Sequence, residues 1–217
     1  MKKFVFKPAK FIPFRDTKVI ARCRCITKEN ITKHPNRNFR ISVVSDRKVE
    51  SRWLNDMFRR IKEASGSSQT CVMIMPNPCP VYTKLADLIN QHRIDCQKLH
   101  TFNMDEYANE KGEIAPETWK WGFMYSFKKF FYNRLDRKLR PPEKQIQGPT
   151  SRNIRDYGKM LSDLGGADIC YSGPGWTGHL AFIEPDAPEF RAPLKEWMKM
   201  GPRVCTLSPF TIAQNSL

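Results

Sequence analysis

Five consecutive apolar residues, Cys71-Val72-Met73-Ile74-Met75, run directly into a segment with prolines at positions 76, 78 and 80. A strand with one wet face alternates apolar and polar side chains. A continuous apolar run of strand length is instead what a strand covered on both faces requires. Proline lacks the backbone N–H of a ladder, so the strand has to stop at Met75. The chain must therefore place other elements on both sides of this segment.

The flanking sequence supplies them. Val49, Trp53, Met57 and Ile61 recur every four residues, and Leu54 and Phe58 widen the apolar face, which predicts a helix over 48–64. Pro80 sits at the first turn of a second helix marked by Val81, Leu85, Leu88 and Ile89. A strand is expected at 99–104, with Asp105 at its carboxyl end. Phe123, Phe127, Phe130, Phe131 and Leu135 have helical spacing within 119–139, and Arg140-Pro141-Pro142 stops that segment. Aromatics so spaced are core rather than a base-stacking surface. A helix over 152–164, closed by Gly165-Gly166, leads to a strand at 167–171. Upstream, Phe39, Ile41 and Val43 alternate with polar residues and predict a short strand. Strands alternating with helices imply an α/β fold: a mainly parallel, Rossmann-like sheet with helices on both faces. Ligands of such sheets bind beyond the carboxyl ends of the strands. Polar chemistry is therefore expected in the loops after Met75, at Asp105 and after Ser172.

Composition narrows the partners. The chain carries a net charge of +15, and residues 1–40 hold twelve Lys/Arg against Asp16 and Glu29. The excess is thus mostly N-terminal. It lacks a consecutive basic run or a nucleic-acid motif, so a solvated basic extension is expected rather than a nucleic-acid partner. No apolar run approaches the roughly 20 residues that cross a bilayer, and Lys7, Pro8 and Lys10 interrupt any signal-type stretch. No membrane partner and a cytoplasmic location follow as expectations. Seven scattered cysteines do not form a disulfide framework, and Cys23-Arg24-Cys25 has no second pair at zinc-site spacing. Reduced thiols are expected, with Cys71 and Cys170 as small buried hydrophobes.

The chemistry-bearing residues collect in two places. Asp105-Glu106 follows an apolar strand, where partial burial raises a carboxyl toward neutrality and makes it a general base. His179 and Glu184 lie five residues apart in a Gly-flanked turn, a spacing that lets a carboxylate orient an imidazole. Together they form an acid, a base and an orienting group without a metal. That set suits proton transfer next to a carbonyl and the opening of a sugar hemiacetal.

Two longer motifs give these residues a context. Thr101-Phe102-Asn103-Met104-Asp105-Glu106-Tyr107 resembles the TFNMDEY signature of the glucosamine-6-phosphate deaminase/isomerase family, and GPGWTGHLAFIEP at 173–185 resembles its GGxGxDGHIAFNEP loop. Thr206-Leu207 and the segment from Thr211 to Ser216 are similar to the stretch that follows. The resemblance runs from about Phe39 to the last residue, which divides the chain into a basic extension, 1–38, and a sugar-phosphate isomerase/deaminase-like domain, 39–217. It implies aldose–ketose isomerisation with ammonia release, on a small-molecule sugar or sugar phosphate, without cofactor or metal, in a homo-oligomer. It further implies that Asp105 moves the proton between C2 and C1, that His179 promotes ring opening and that Glu184 is its partner. Asn77, Cys79, Glu106, Gly175 and Thr177 would lie around the substrate. Lactonase-type relatives share the fold and a similar histidine loop, but the Asn103–Tyr107 segment argues against them.

The chain departs from the family at three points. Thr177 stands where the family has an acid. The glycine-containing phosphate loop becomes Met75-Pro76-Asn77-Pro78-Cys79-Pro80, which loses the N–H groups of a phosphate nest. Leu217 stands where the family has a phosphate-binding arginine, and the family continues beyond it, so the chain reads as C-terminally short. The isomerisation residues are present while the phosphate end is rewritten, which leaves a sugar-binding regulatory protein as the alternative expectation.

Overall fold

The computed structural model describes residues 4–5, 15–185 and 187–216, so Leu217 and much of the basic extension lie outside the described residues. Four parallel strands form its frame: β1 (Cys71–Met75), β2 (Leu99–Asn103), β3 (Ile146–Gln147) and β4 (Ile169–Cys170). Their order is β3-β2-β1-β4. The helices, in chain order, are α1 (Thr17–Arg24), α2 (Asp46–Ser65), α3 (Tyr82–Gln91), α4 (Phe123–Phe130), α5 (Tyr157–Ser162), α6 (Leu194–Trp197) and α7 (Pro209–Gln214).

The apolar run behaves as a doubly covered strand. Cys71, Met73 and Met75 of β1 pack into one cluster with Met57 and Ile61 of α2, Leu85 and Ile89 of α3 and Phe127 of α4. Val72 and Ile74 point the other way, into a second cluster with Phe102 of β2 and Tyr157, Met160 and Leu161 of α5. Burying apolar area yields about 25 cal/mol per Å², so both faces of this one strand contribute. β1 and β2 pair in parallel from Cys71 opposite Leu99 to Met75 opposite Asn103. The chain winds outward from β1 to β3 and then returns to the other side of β1 as β4. That reversal opens a crevice at the carboxyl ends, where the loops after Met75, Asn103 and Cys170 converge.

Several elements differ from the sequence expectation, each for a physical reason. Phe39 and Val43 are 58% and 64% exposed, and 39–45 forms no strand. Alternation alone does not hold a strand that finds no ladder partner. The segment 119–139 shortens to α4 and a 3-10 turn at Tyr132–Arg134. Within it Phe123, Phe127, Phe131 and Leu135 are buried while Phe130 is exposed. The segment 152–164 shortens to α5, because Asn153 draws the preceding turn onto itself: its Oδ1 accepts the Thr150 N–H at 2.7 Å and its Nδ2 donates to Gly148 O at 3.0 Å. The last strand is only two residues long. Before it, the Asp168 carboxylate takes the Val72 N–H at 2.7 Å, where a ladder carbonyl would stand. Cys170 is exposed rather than buried, since β4 has a neighbour only on its β1 side among the described residues. β3, two residues long, had no signal in the sequence. No helix among the described residues is long and apolar enough to cross a membrane.

Candidate active site

Asp105 follows β2 by two residues and is carried to the carboxyl edge by the buried register of that strand. Burial, and after it the charge of Glu106, push its carboxyl up to about 7. Its Oδ1 is buried and has no hydrogen-bond partner. An unpaired buried acceptor costs about 1–3 kcal/mol, a cost that functional sites commonly carry. Asn77, after β1, and Asn103, at the end of β2, also bury amide atoms that lack partners. Three polar side chains at two neighbouring strand ends are thus left with hydrogen-bonding capacity that the protein does not use.

Asp105 lines a cavity of about 340 Å³, with Tyr157, Phe182, Phe190, Cys205 and Leu207 among its walls. Tyr157 donates its hydroxyl to Asn103 O at 2.9 Å and Gln147 O at 3.2 Å, tying α5 to the ends of β2 and β3. Glu106 also reaches this cavity, but its carboxylate is used elsewhere. Oε1 accepts the Phe123 N–H at 2.9 Å and Oε2 the Met124 N–H at 2.8 Å, at the first turn of α4. Glu106, expected as a substrate contact, thus lines the cavity while its carboxylate caps a helix.

The histidine turn forms a second, tightly bonded unit. Thr177 Oγ1 donates to Glu184 Oε2 at 2.7 Å and stands 2.9 Å from His179 Nδ1. Having given its proton to the carboxylate, the hydroxyl can only accept from the ring, so the network assigns the Nδ1–H tautomer. Thr211 Oγ1 lies 3.0 Å from the same ring nitrogen, and Glu184 Oε1 accepts the Ser208 N–H at 3.0 Å. Burial raises the Glu184 carboxyl, but bonds from Thr211, Thr177 and Ser208 outweigh it and hold the group below its ordinary value. Glu184 is thus an ionised carboxylate that acts on His179 through hydroxyls; its direct approach to Nδ1 is 3.9 Å. Gly175 is the platform for the ring: a Cβ there would stand 2.1 Å from His179 Cε1 and 2.3 Å from Nε2. Any side chain at 175 displaces the imidazole.

Ala181 and Phe182 follow with positive φ, 52° and 58°, uncommon for residues other than glycine. This turn swings the Phe182 ring to 5.6 Å from His179 and 5.9 Å from Tyr107, and stacks it on Phe123 at 5.8 Å. Phe182 lines the Asp105 cavity and His179 does not.

The remaining expected residues fall outside that cavity. Thr177 is 2% exposed and bridges His179 to Glu184, so it is a positioning residue and not a substrate contact. Cys79 packs against the main core, and burial pushes its thiol up to about 11, leaving a neutral apolar plug. Asn77 sits at the β1 end with its amide unpaired, apart from the Asp105 cavity walls. No group of His, Cys, Asp and Glu among the described residues has the arrangement of a metal site.

No family model matches the chain. It is 28% identical to a glucosamine-6-phosphate deaminase of Dictyostelium discoideum over 169 residues, covering 75% of this chain and 57% of that protein. A glucosamine-6-phosphate deaminase of Phocaeicola vulgatus is 28% identical over 186 residues, 82% of this chain and 65% of the relative. Among solved structures, a monomeric glucosamine-6-phosphate deaminase of the NagB superfamily superposes with a TM-score of 0.57 at 19% identity, over 70% of this chain and 61% of that one. The chain is similar over most of its length to glucosamine-6-phosphate deaminases. It spans about half to two thirds of the length of the curated relatives it matches.

The histidine unit and the sheet edge also include residues to which the sequence assigned no role. Thr211 is fully buried against His179, and Ser208-Pro209, a helix-start signature, was the signal that would have placed it in a first turn. Asn103 was visible as part of the Thr101–Tyr107 motif but without a role, and Tyr157 gave no signal beyond the helix that carries it.

Proposed function

We propose that this deaminase relative acts on an amino sugar or its phosphate, isomerising the opened aldose and releasing ammonia, within carbohydrate metabolism. The observation that carries the reading is Asp105, a buried carboxyl held near neutrality with an unpaired oxygen on a cavity of sugar size. His179, fixed as the Nδ1–H tautomer, keeps Nε2 as the acceptor for the proton that must move when the hemiacetal opens, with Phe182, a wall residue of the cavity, beside it. Asp105 then takes the C2 proton and returns it to C1, which converts the amine at C2 to an imine. Water adds to the imine carbon, the C–N bond breaks, and ammonia leaves a 2-ketose. Glu184 keeps the histidine oriented through Thr177 and Thr211. Seven free thiols support a reducing, cytoplasmic setting.

The test is ammonia release and ketose formation from glucosamine and glucosamine 6-phosphate. Asp105→Asn and His179→Gln should each lower kcat/KM by about 10²–10⁴-fold with the fold retained. The wild-type rate should rise as pH passes about 7, where Asp105 becomes the carboxylate, and that limb should vanish in Asp105→Asn. Measurable sugar binding with no turnover of either sugar would sink the reading and leave a binding protein.

A further inference from the structure

Next to the Asp105 cavity runs a wider groove of about 1060 Å³. The two share walls, Tyr107 and Asn109 on one side and Val204, Cys205 and Leu207 on the other, so whatever occupies the cavity lies beside the groove. Trp121 is 77% exposed and Trp119 41% exposed along it. Trp119 is braced edge-on by Tyr107, with ring centroids 5.9 Å apart. The polar lining includes Asn215, whose Oδ1 accepts the Tyr107 hydroxyl at 3.1 Å, and Glu189. Glu189 Oε1 is held by the Thr206 N–H and hydroxyl, at 3.0 and 2.8 Å, while its Oε2 is buried without a partner.

Exposed indole faces beside the Glu189 carboxylate and the Asn215 amide suit a saccharide ring, which presents C–H groups on its faces and hydroxyls at its rim. The charge of the groove narrows the choice. On a chain of net charge +15, its charged residues are Glu110, Glu189 and Lys111. Glu189 is ionised: burial raises its carboxyl, but its own backbone N–H and Thr206 outweigh that and hold it below the ordinary value. Two carboxylates against one ammonium disfavour a phosphate and favour a protonated amine. The proposed reaction needs C1 and C2 free, so an extension of the substrate can leave only from the far side of the ring.

We propose that the groove is a second saccharide subsite, which takes an amino-sugar ring linked through O4 or O6 to the ring at Asp105. The substrate class is then an amino-sugar disaccharide with a free reducing end, its second ring stacked on Trp121 and its amine facing Glu189. This rests on the reading of Asp105 as the base of the reacting ring, and the experiment separates the two.

Calorimetric titration of the full chain with glucosamine and with β-1,4- and β-1,6-linked glucosamine disaccharides reads the subsite directly. At least one disaccharide should bind about tenfold more tightly than glucosamine. Trp121→Ala should weaken that binding by about three- to tenfold, in the range of a ring contact, and leave glucosamine unaffected. Glu189→Gln should weaken the disaccharide and again spare the monosaccharide. If neither disaccharide binds, if neither is tighter than glucosamine, or if Trp121→Ala leaves the affinity unchanged, the subsite is refuted. Ammonia release from the same sugars is measured alongside. A Trp121-dependent preference without ammonia refutes the reaction and keeps the subsite; ammonia without the preference does the reverse.

Discussion

Asp105 is costly to charge where it stands, and that cost has a definite pH dependence. Its ordinary value of 3.8 is pushed up to about 7 in the folded protein. Below about pH 4 both states hold the proton and the group makes no difference to stability. Between about 4 and 7 the unfolded chain has released a proton that the folded chain still binds, so stability falls as pH rises. Above 7 the full penalty applies, up to about 4 kcal/mol by the size of the shift. Asp105→Asn keeps the shape and removes the charge. It should therefore be more stable than wild type at pH 8, by about 1–4 kcal/mol, with the gain shrinking toward zero near pH 4. Urea denaturation at the two pH values measures this; an equal gain at both would show that charge burial is not the cause. The residue was visible beforehand because it follows an apolar strand. Thr211 was not, because it meets His179 from a segment 32 positions away in the chain.

Among the elements, α4 shows why boundaries were harder to read than cores. Its N-cap residue, Gly122, has no side-chain oxygen to receive the first N–H groups. Those groups are taken by Glu106, 17 and 18 positions earlier, so the true start of the helix has no local mark. The aromatic spacing extended the expected helix back to Trp119, across residues that instead border the groove. Gly122 admits this cap closely: a Cβ there would stand 3.3 Å from both Glu106 oxygens. Glu106→Ala should destabilise the fold by about 1–3 kcal/mol, because two N–H groups lose a charged partner. Glu106→Gln, which keeps one oxygen acceptor, should lie between the two. A thermal melt of Glu106→Ala indistinguishable from wild type would return Glu106 to the substrate side of the site. β1 is the opposite case: its contacts on both faces follow from five residues read in isolation, since every position had to be apolar.

At the scale of the whole molecule, the charge and the core are separated along the chain. Residues 1–40 contain twelve of the 37 Lys/Arg and only two acids, while α1 contributes no buried residue. The two apolar clusters draw their members from residue 53 onward. We propose that residues 1–38 are dispensable to the fold and serve as an electrostatic arm. One contact argues the other way: Arg15 lines a small cavity with Glu184 and Trp197, next to the histidine unit. Deletion of 1–38 settles which dominates. If the arm is separate, the melting temperature shifts by no more than about 4 °C, within the range of a 1 kcal/mol change. Ammonia release is then preserved, and retention on an anionic column falls at low salt, where exposed charges act over the longest range. A larger loss of stability together with a fall in kcat would instead make Arg15 part of the shell that holds Glu184. The boundary of the domain would then move back from residue 39 to include the basic segment, because a charge that holds the carboxylate orienting His179 belongs to the site, whatever its place in the sequence.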